Sequence, residues 1–392
     1  MENLGGTRPP SLEELDARLR NLATTHPDRV SLRPVGRTAG GRPLHLLTVQ
    51  GGPRSVLVLA PHLDDPVGLA TLDALAHYAS RDTRARDRVT WHFVPCCDPD
   101  GAARQDQWWL TRWPVTMEEF HRDLYRPGAA GCAQQHADVR GFGAGQPETT
   151  TALEKAADLA APRLLVALHS ADWWNCNCLV RHATSKEFPL ASLPTGCVSR
   201  DRPGSGLFVL PGPGPAASRH APLTLRHYAA RSGALGFVPE VPMWSTRSFA
   251  QPPEQGAAVL DQAQTVLASA LRRIRPENDE EALLALTGHR LLTAVEAASL
   301  QVKAERVSGH PLTQVLPLFA AGLLLRHTQM SPGNPLEEGI RDRFFDSWCR
   351  RAEDVLRPTP VPLAEAVAAQ IGTIMQAVNL IAHQTSSPRI GR

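Results

Sequence analysis

Residues 55–68 read SVLVLAPHLDDPVG. Val56 to Ala60 is an uninterrupted apolar run, the pattern of a strand buried on both faces. His62 and Asp65 follow it directly, and Pro66 opens a helix-like run from Val67 to Tyr78. In open α/β sheets ligands bind beyond the carboxyl ends of strands. An imidazole nitrogen and a carboxylate oxygen three residues apart can converge on one cation, and zinc accepts both donor types. The same residues also fit a plain turn in which Asp65 caps a helix begun by Pro66.

Working outward, strand and helix patterns alternate through the first 170 residues. Ser11 with Glu14 forms a capping-box pattern that predicts a helix over 11–25. Strands are expected at 43–50 and 55–61, joined by a tight turn at Gly51-Gly52-Pro53, and again at 89–95. A helix over 150–160 leads into the apolar strand 164–168, which ends in His169. A last strand is expected at 236–241 and carries Glu240. This alternation predicts an α/β sheet with helices on its faces. Two histidines and a carboxylate leave a fourth zinc position for water, as in catalytic sites. Glu240 could then act as general base on that water. The plainer readings are a satisfied core histidine and a salt-bridged surface glutamate.

Composition bounds the rest. At 392 residues, against about 100–200 per domain, two or three domains are expected. Lys+Arg at 41 nearly balances Asp+Glu at 39, so the net charge of +2 supplies no strong electrostatic footprint for nucleic acid. Every one of those cations is arginine except Lys155, Lys186 and Lys303. The longest apolar run, Leu316 to Leu325, is far short of the roughly 18–20 residues of a membrane span. The first ten residues carry neither a basic segment nor an apolar run, so no secretion leader is expected. Seven cysteines, including Cys96-Cys97 and Cys176-x-Cys178, lack zinc-ribbon spacing. They read as buried or neutral thiols of a cytoplasmic protein. Residues 201–224 are broken by Pro and Gly and read as a long loop. From Pro253 leucine and alanine recur at helical spacing with breaks near Pro276, Pro311, Pro332 and Pro358, which predicts about five helices. The expected division is therefore a catalytic domain over 1–252 and an all-α C-terminal domain over 253–392, with a disordered tail from about 385.

The order of these motifs resembles the M14 family of zinc carboxypeptidases over residues 30–250. Val35-Gly36-Arg37-Thr38-Ala39-Gly40-Gly41-Arg42-Pro43-Leu44 looks like that family's GxSxxGRxl opening, and His62-x-x-Asp65-Pro66-Val67-Gly68 like its HxxE metal motif. Asp98-Pro99-Asp100-Gly101 is similar to its NPDG, Asp123-Leu124-Tyr125-Arg126-Pro127 to its DxNRN, and Gln146-Pro147-Glu148-Thr149 to its SEPE(T). Leu168-His169-Ser170 and Pro239-Glu240-Val241-Pro242 complete the series. The resemblance implies a carboxypeptidase-like α/β/α fold with a central mixed sheet. It implies zinc held by His62, Asp65 and His169, with Glu240 as general base and then acid. It also implies Arg126 on the substrate's terminal carboxylate and an oxyanion-stabilising arginine, for which Arg112 is preferred to Arg104.

Three departures stand out. Asp65 replaces a glutamate and is one methylene shorter; Asp98 replaces the asparagine of NPDG; Tyr125 replaces the asparagine that partners the arginine. Altered recognition of the terminal carboxylate is therefore expected, in a cytoplasmic enzyme with one specialised peptide or small amide substrate. Arg226, with His227 before Glu240, would favour an acidic residue in that substrate, and Trp173-Trp174 with the loop 203–222 could wall a pocket. Two other readings compete. Leu57 to Asp65 also resembles the PHPDD segment of PIG-L-type N-deacetylases. Alternatively, the weakened HxxD marks a metal-free binding module descended from a carboxypeptidase. The helical C-terminal part would either narrow access to the cleft or form a homo-oligomer interface.

Overall fold

Apolar runs place the strands, and the pairing of those strands sets the architecture. The computed structural model of the chain describes residues 8–38, 40–60, 66–97, 99–100, 108–123, 147–173, 178–180, 197–199, 234–245, 253–305, 312–330 and 344–383. Its strands are β1 (Val30–Arg37), β2 (Pro43–Val49), β3 (Arg54–Leu59), β4 (Val89–Val94), β5 (Leu164–Ala167), β6 (His169–Trp173), β7 (Cys178–Val180), β8 (Cys197–Ser199), β9 (Leu235–Phe237), β10 (Pro239–Ser245) and the short β11 (Thr359–Pro360). One set runs in the order β1-β2-β4-β3-β5-β9, the other in the order β11-β10-β7-β8 with β6 on β10.

A single residue, Leu168, separates β5 from β6, and Val238 alone separates β9 from β10. Leu164 lies opposite Leu235 and Val166 opposite Phe237; beyond the interruption His169 lies opposite Glu240 and Val241 opposite Ser170. The residue offset is the same on both sides. The two sets are thus joined along two long parallel strands, giving a carboxypeptidase-like mixed sheet. β1–β2, β2–β4 and β10–β7 are antiparallel; β4–β3, β3–β5 and β5–β9 are parallel. The stretch Gly51-Gly52-Pro53 does not make a hairpin of β2 and β3, because β4 lies between them.

Helices cover both faces. They are α1 (Leu12–Thr25), α2 (Pro66–Arg81), α3 (Thr83–Arg88), α4 (Met117–Asp123), α5 (Pro147–Ala160), α6 (Pro253–Leu271), α7 (Asp279–Glu305), α8 (Leu312–Met330), α9 (Asp346–Leu356) and α10 (Leu363–His383). Strand alternation sorts the core residues between the faces. Val56, Val58, Leu164 and Val166 belong to one cluster with residues of α1, α2 and α10. Leu57, Leu59, Leu165 and Ala167 belong to a second, with Ala152, Leu153, Ala156 and Ala157 of α5. At Gly36 a Cβ would come within 2.5 Å of the Ala152 Cβ, so the close approach of α5 to β1 requires a glycine there.

The N-terminal helix starts as its sequence predicts. The Ser11 hydroxyl accepts from the Glu14 N–H at 3.0 Å, and the Glu14 carboxylate accepts from the Ser11 N–H at 2.8 Å. Arg8 closes a two-point ion pair on Glu14. Arg8 and the Ser11 N–H together hold the Glu14 carboxyl down at about 2.

Among the described residues five helices follow residue 253, where leucine and alanine recur at helical spacing. α6 packs on α7 and α8, and α9 packs on α8 and α4. The last helix behaves differently. α10 lies on α2, β10, β5 and β3, and β11 just before it pairs with the end of β10. One apolar cluster therefore runs without a break from Leu15 through Val166 and Leu260 to Ile374. Among the described residues no helix is long and apolar enough to cross a membrane.

Candidate active site

The sheet brings the second histidine and the glutamate together. His169 is the first residue of β6 and is buried, at 8% exposure. Its Cα partner across the parallel ladder is Glu240, the second residue of β10. Adjacent strands lie about 4.8 Å apart, so residues more than sixty positions apart in sequence stand side by side. Leu179 of β7 is the partner of Glu240 on its other edge.

The strand that precedes the HxxD segment in sequence, β3, is the neighbour of β5. Leu59 is the partner of Ala167, and the Leu168 N–H donates to the Leu59 carbonyl at 3.0 Å. The Ala60 N–H donates to the Val94 carbonyl, and the Ala60 carbonyl accepts from the Cys97 N–H at 3.3 Å. The described chain thus leaves β3 beside Leu168, one residue before His169, and resumes at Pro66, the first residue of α2. His62 and Asp65 lie outside the described residues, as do Asp98, Arg104, Tyr125, Arg126, Trp174 and Arg226. Among the described residues no group of three His, Cys, Asp or Glu side chains could hold a metal. The donor set of two imidazoles and one carboxylate suits zinc chemically, and its one described member, His169, sits at a buried strand start beside Glu240.

Two motifs separated by some sixty residues are tied at one carboxylate. Asp100 accepts from the Thr38 hydroxyl at 2.7 Å and from the Gly40 N–H at 2.8 Å, with the Arg42 guanidinium at 3.4 Å. Burial opposes ionisation of Asp100, but these three donors outweigh it and hold the carboxyl below its ordinary range. Asp100→Ala strips the acceptor from all three donors, of which the Thr38 hydroxyl is buried, and a buried unsatisfied donor costs about 1–3 kcal/mol. The expected loss of unfolding free energy is therefore about 1–3 kcal/mol at pH 7. A carboxyl depressed on folding stabilises above its unfolded value near 3.9 and loses that contribution as pH falls through the folded value. The gap between wild type and Asp100→Ala should narrow below pH 4, which denaturant titrations across pH 2.5–7 would measure. A gap independent of pH would contradict this account.

Arg112 sits in the turn after Trp108–Leu110 and is half exposed, with Nη1 at 3.7 Å from Glu119 Oε1. Asp123 closes α4. Trp173, at the end of β6, is the Cα partner of Trp244. Cys96, Cys97 and Cys349 are not disulfide-bonded, and burial pushes the Cys349 thiol up. Cys178 of β7 faces Cys197 of β8 in register.

Sequence reading missed two features. Gln370 of α10 is fully buried, and its side-chain N–H groups donate to the His169 and Pro239 carbonyls. An amide in an alanine-rich helix gives no sign of this. His121, at 0% exposure, stands edge-on to Phe120 and to Phe319 of α8, and burial holds it neutral, at about 3. Its only sequence signal is its place beside Phe120.

Residues 15–173 match the family described as zinc carboxypeptidase, Peptidase_M14. The match lies within the first half of the chain and takes in β1 to β6. The matched segment holds His62, Asp65 and His169 and stops before Glu240. Among solved structures the chain is similar to a metallo-carboxypeptidase from Burkholderia cenocepacia, at 17% identity and TM-score 0.36, covering 75% of this chain and 70% of that one. It is also similar to carboxypeptidase A from Helicoverpa armigera, at 13% identity and TM-score 0.39, covering 76% and 74%. None of the curated proteins matches it.

Proposed function

We propose that this chain is a zinc-dependent hydrolase, a specialised carboxypeptidase that cleaves a peptide or small amide bond. The register of His169 against Glu240 across β6 and β10 carries the reading. His62, Asp65 and His169 would hold the metal. When bound, zinc supplies Lewis-acid polarisation of the scissile carbonyl and makes water at the site more acidic.

The remaining chemistry belongs to side chains. The Glu240 carboxylate takes a proton from the attacking water and returns it to the leaving nitrogen, so one group serves as base and then acid. Arg126 grips the substrate's terminal carboxylate, because a guanidinium fork matches a carboxylate at two points. Tyr125 beside it offers a hydroxyl where an amide would be usual, which changes the geometry of that grip. Arg226 selects an acidic substrate side chain. Arg112 supplies positive charge to the oxyanion after leaving Glu119.

Metal content tests the reading. Purified protein is expected to carry about one zinc per chain by elemental analysis. A strong chelator should abolish hydrolysis of peptides with a free C-terminal carboxylate, and added zinc should restore it. Peptides amidated at the C-terminus should be cleaved more slowly. Zinc-free protein from zinc-replete growth would instead favour a binding module, and release of acetate from amino sugars would favour a deacetylase.

A further inference from the structure

The parallel ladder between the two long strands has a seam. It runs to Val166 opposite Phe237 and resumes at His169 opposite Glu240, with Leu168 and Val238 in between. Gln370 spans that seam. Its Nε2 donates to the His169 carbonyl and to the Pro239 carbonyl, each at 2.9 Å. One accepting residue is the histidine itself, and the other immediately precedes Glu240. Both hydrogens of the amide are used, one on each strand, so the pair of bonds fixes the distance between the two backbones. The side chain is 0% exposed, and its Oε1 has no hydrogen-bond partner among the described residues.

The helix that carries Gln370 is fixed along its length. Ahead of it, the Val361 N–H donates to the Met243 carbonyl at 2.9 Å. Near its end, the Arg54 Nη1 donates to the Ala382 carbonyl at 2.7 Å, and Arg88 donates to the Asn379 side chain. Val367, Ile371, Ile374 and Val378 recur at helical spacing and are buried in the cluster that the helix shares with α2 and the sheet. A side chain on a helix held at both ends cannot slide along the strands to follow them.

We propose that Gln370 is a positioning residue that sets the spacing of His169 and Glu240 by clamping their strands at the seam. This rests on the hydrolase reading given above. A leucine or methionine would fill the same volume and lose its two bonds. Packing and positioning therefore make different predictions.

The test uses the full chain with Gln370→Leu and Gln370→Met, and with Gln376→Leu on the same helix as a control. In metal-free protein, amide hydrogen exchange over 169–173 and 239–245 should quicken at least about tenfold in both Gln370 variants, with β3 and β4 unchanged. Zinc affinity, read by competition with a chelating dye, should fall about 10–100-fold. The kcat for peptide hydrolysis should fall by a similar factor with KM nearly constant. The control should alter none of these. Unchanged exchange, or quicker exchange with full zinc affinity and full kcat, would overturn the proposal. So would failure of both Gln370 variants to fold, since the role would then be structural only. Exchange separates the two failures. Quicker exchange in the Gln370 variants, beside a wild type that is inert and zinc-free, sinks the hydrolase reading and upholds the clamp. Unchanged exchange beside an active wild type sinks the clamp alone.

Discussion

Glu240→Gln is expected to lower kcat for peptide hydrolysis by about 10²–10⁴-fold while KM stays near its wild-type value. Glutamine has the shape of glutamate but cannot take a proton from water at neutral pH. The loss should therefore appear in the step that moves the proton and leave substrate binding intact. Glu240 is not among the proposed metal ligands, so zinc content should remain about one per chain. That combination separates a general base from a ligand, whose loss would strip the metal as well. The position supports the assignment: Glu240 stands opposite His169 in a ladder whose register is the same before and after its interruption. Steady-state kinetics with elemental analysis on the same preparation would decide it. Retention of more than about a tenth of wild-type kcat would remove Glu240 from the mechanism.

Trp244→Ala should cost about 3–5 kcal/mol of unfolding free energy. Trp244 is 1% exposed and sits where three parts of the chain meet. Its backbone pairs with Trp173 of β6 and Pro360 of β11. Its indole N–H donates to the Val115 carbonyl at 3.2 Å, and its ring stands edge-on to Phe120 with centroids 5.3 Å apart. Truncation removes the packing, leaves a cavity and strips the donor from a carbonyl just ahead of α4. Trp244→Phe keeps an aromatic ring and loses mainly the donor, so it should cost less than half as much. Denaturant midpoints at constant m-value would measure both. A cost below about 1 kcal/mol for the alanine variant would show that the strand end does not depend on this contact.

Legibility in the sequence followed burial. β3 from Val56 onward and β5 throughout are apolar because both faces are covered, and continuous runs such as Val56–Ala60 announce that state. β1 gave no such signal. It is an edge strand with a bulge between Pro34 and Gly36, and of its residues only Val30 and Val35 are buried. Its residues instead entered the reading as a motif. The prolines at 239 and 242 suggested that the last strand stopped early, at Val241. β10 runs through both to Ser245, because at Pro242 it is flanked by β6 alone, between the partners of Glu240 on β7 and of Trp244 on β11. The positions of His169 and Glu240 were legible as strand positions, and the register sets the two side by side. The amide at Gln370 was not, because nothing local distinguishes a helix that lies on the sheet from one that packs on its neighbours.

The placement of α10 has a consequence for biosynthesis. Arg54 and Ala382, which meet in a hydrogen bond, are 328 residues apart in the chain. The strands bearing His169 and Glu240 are translated long before the helix that braces them. A nascent chain halted after Ser245 would hold its sheet with an apolar face uncovered, against water or a chaperone. The arrangement proposed for His169 and Glu240 would then be complete only once the helix Leu363–His383 has been made and has settled on the sheet.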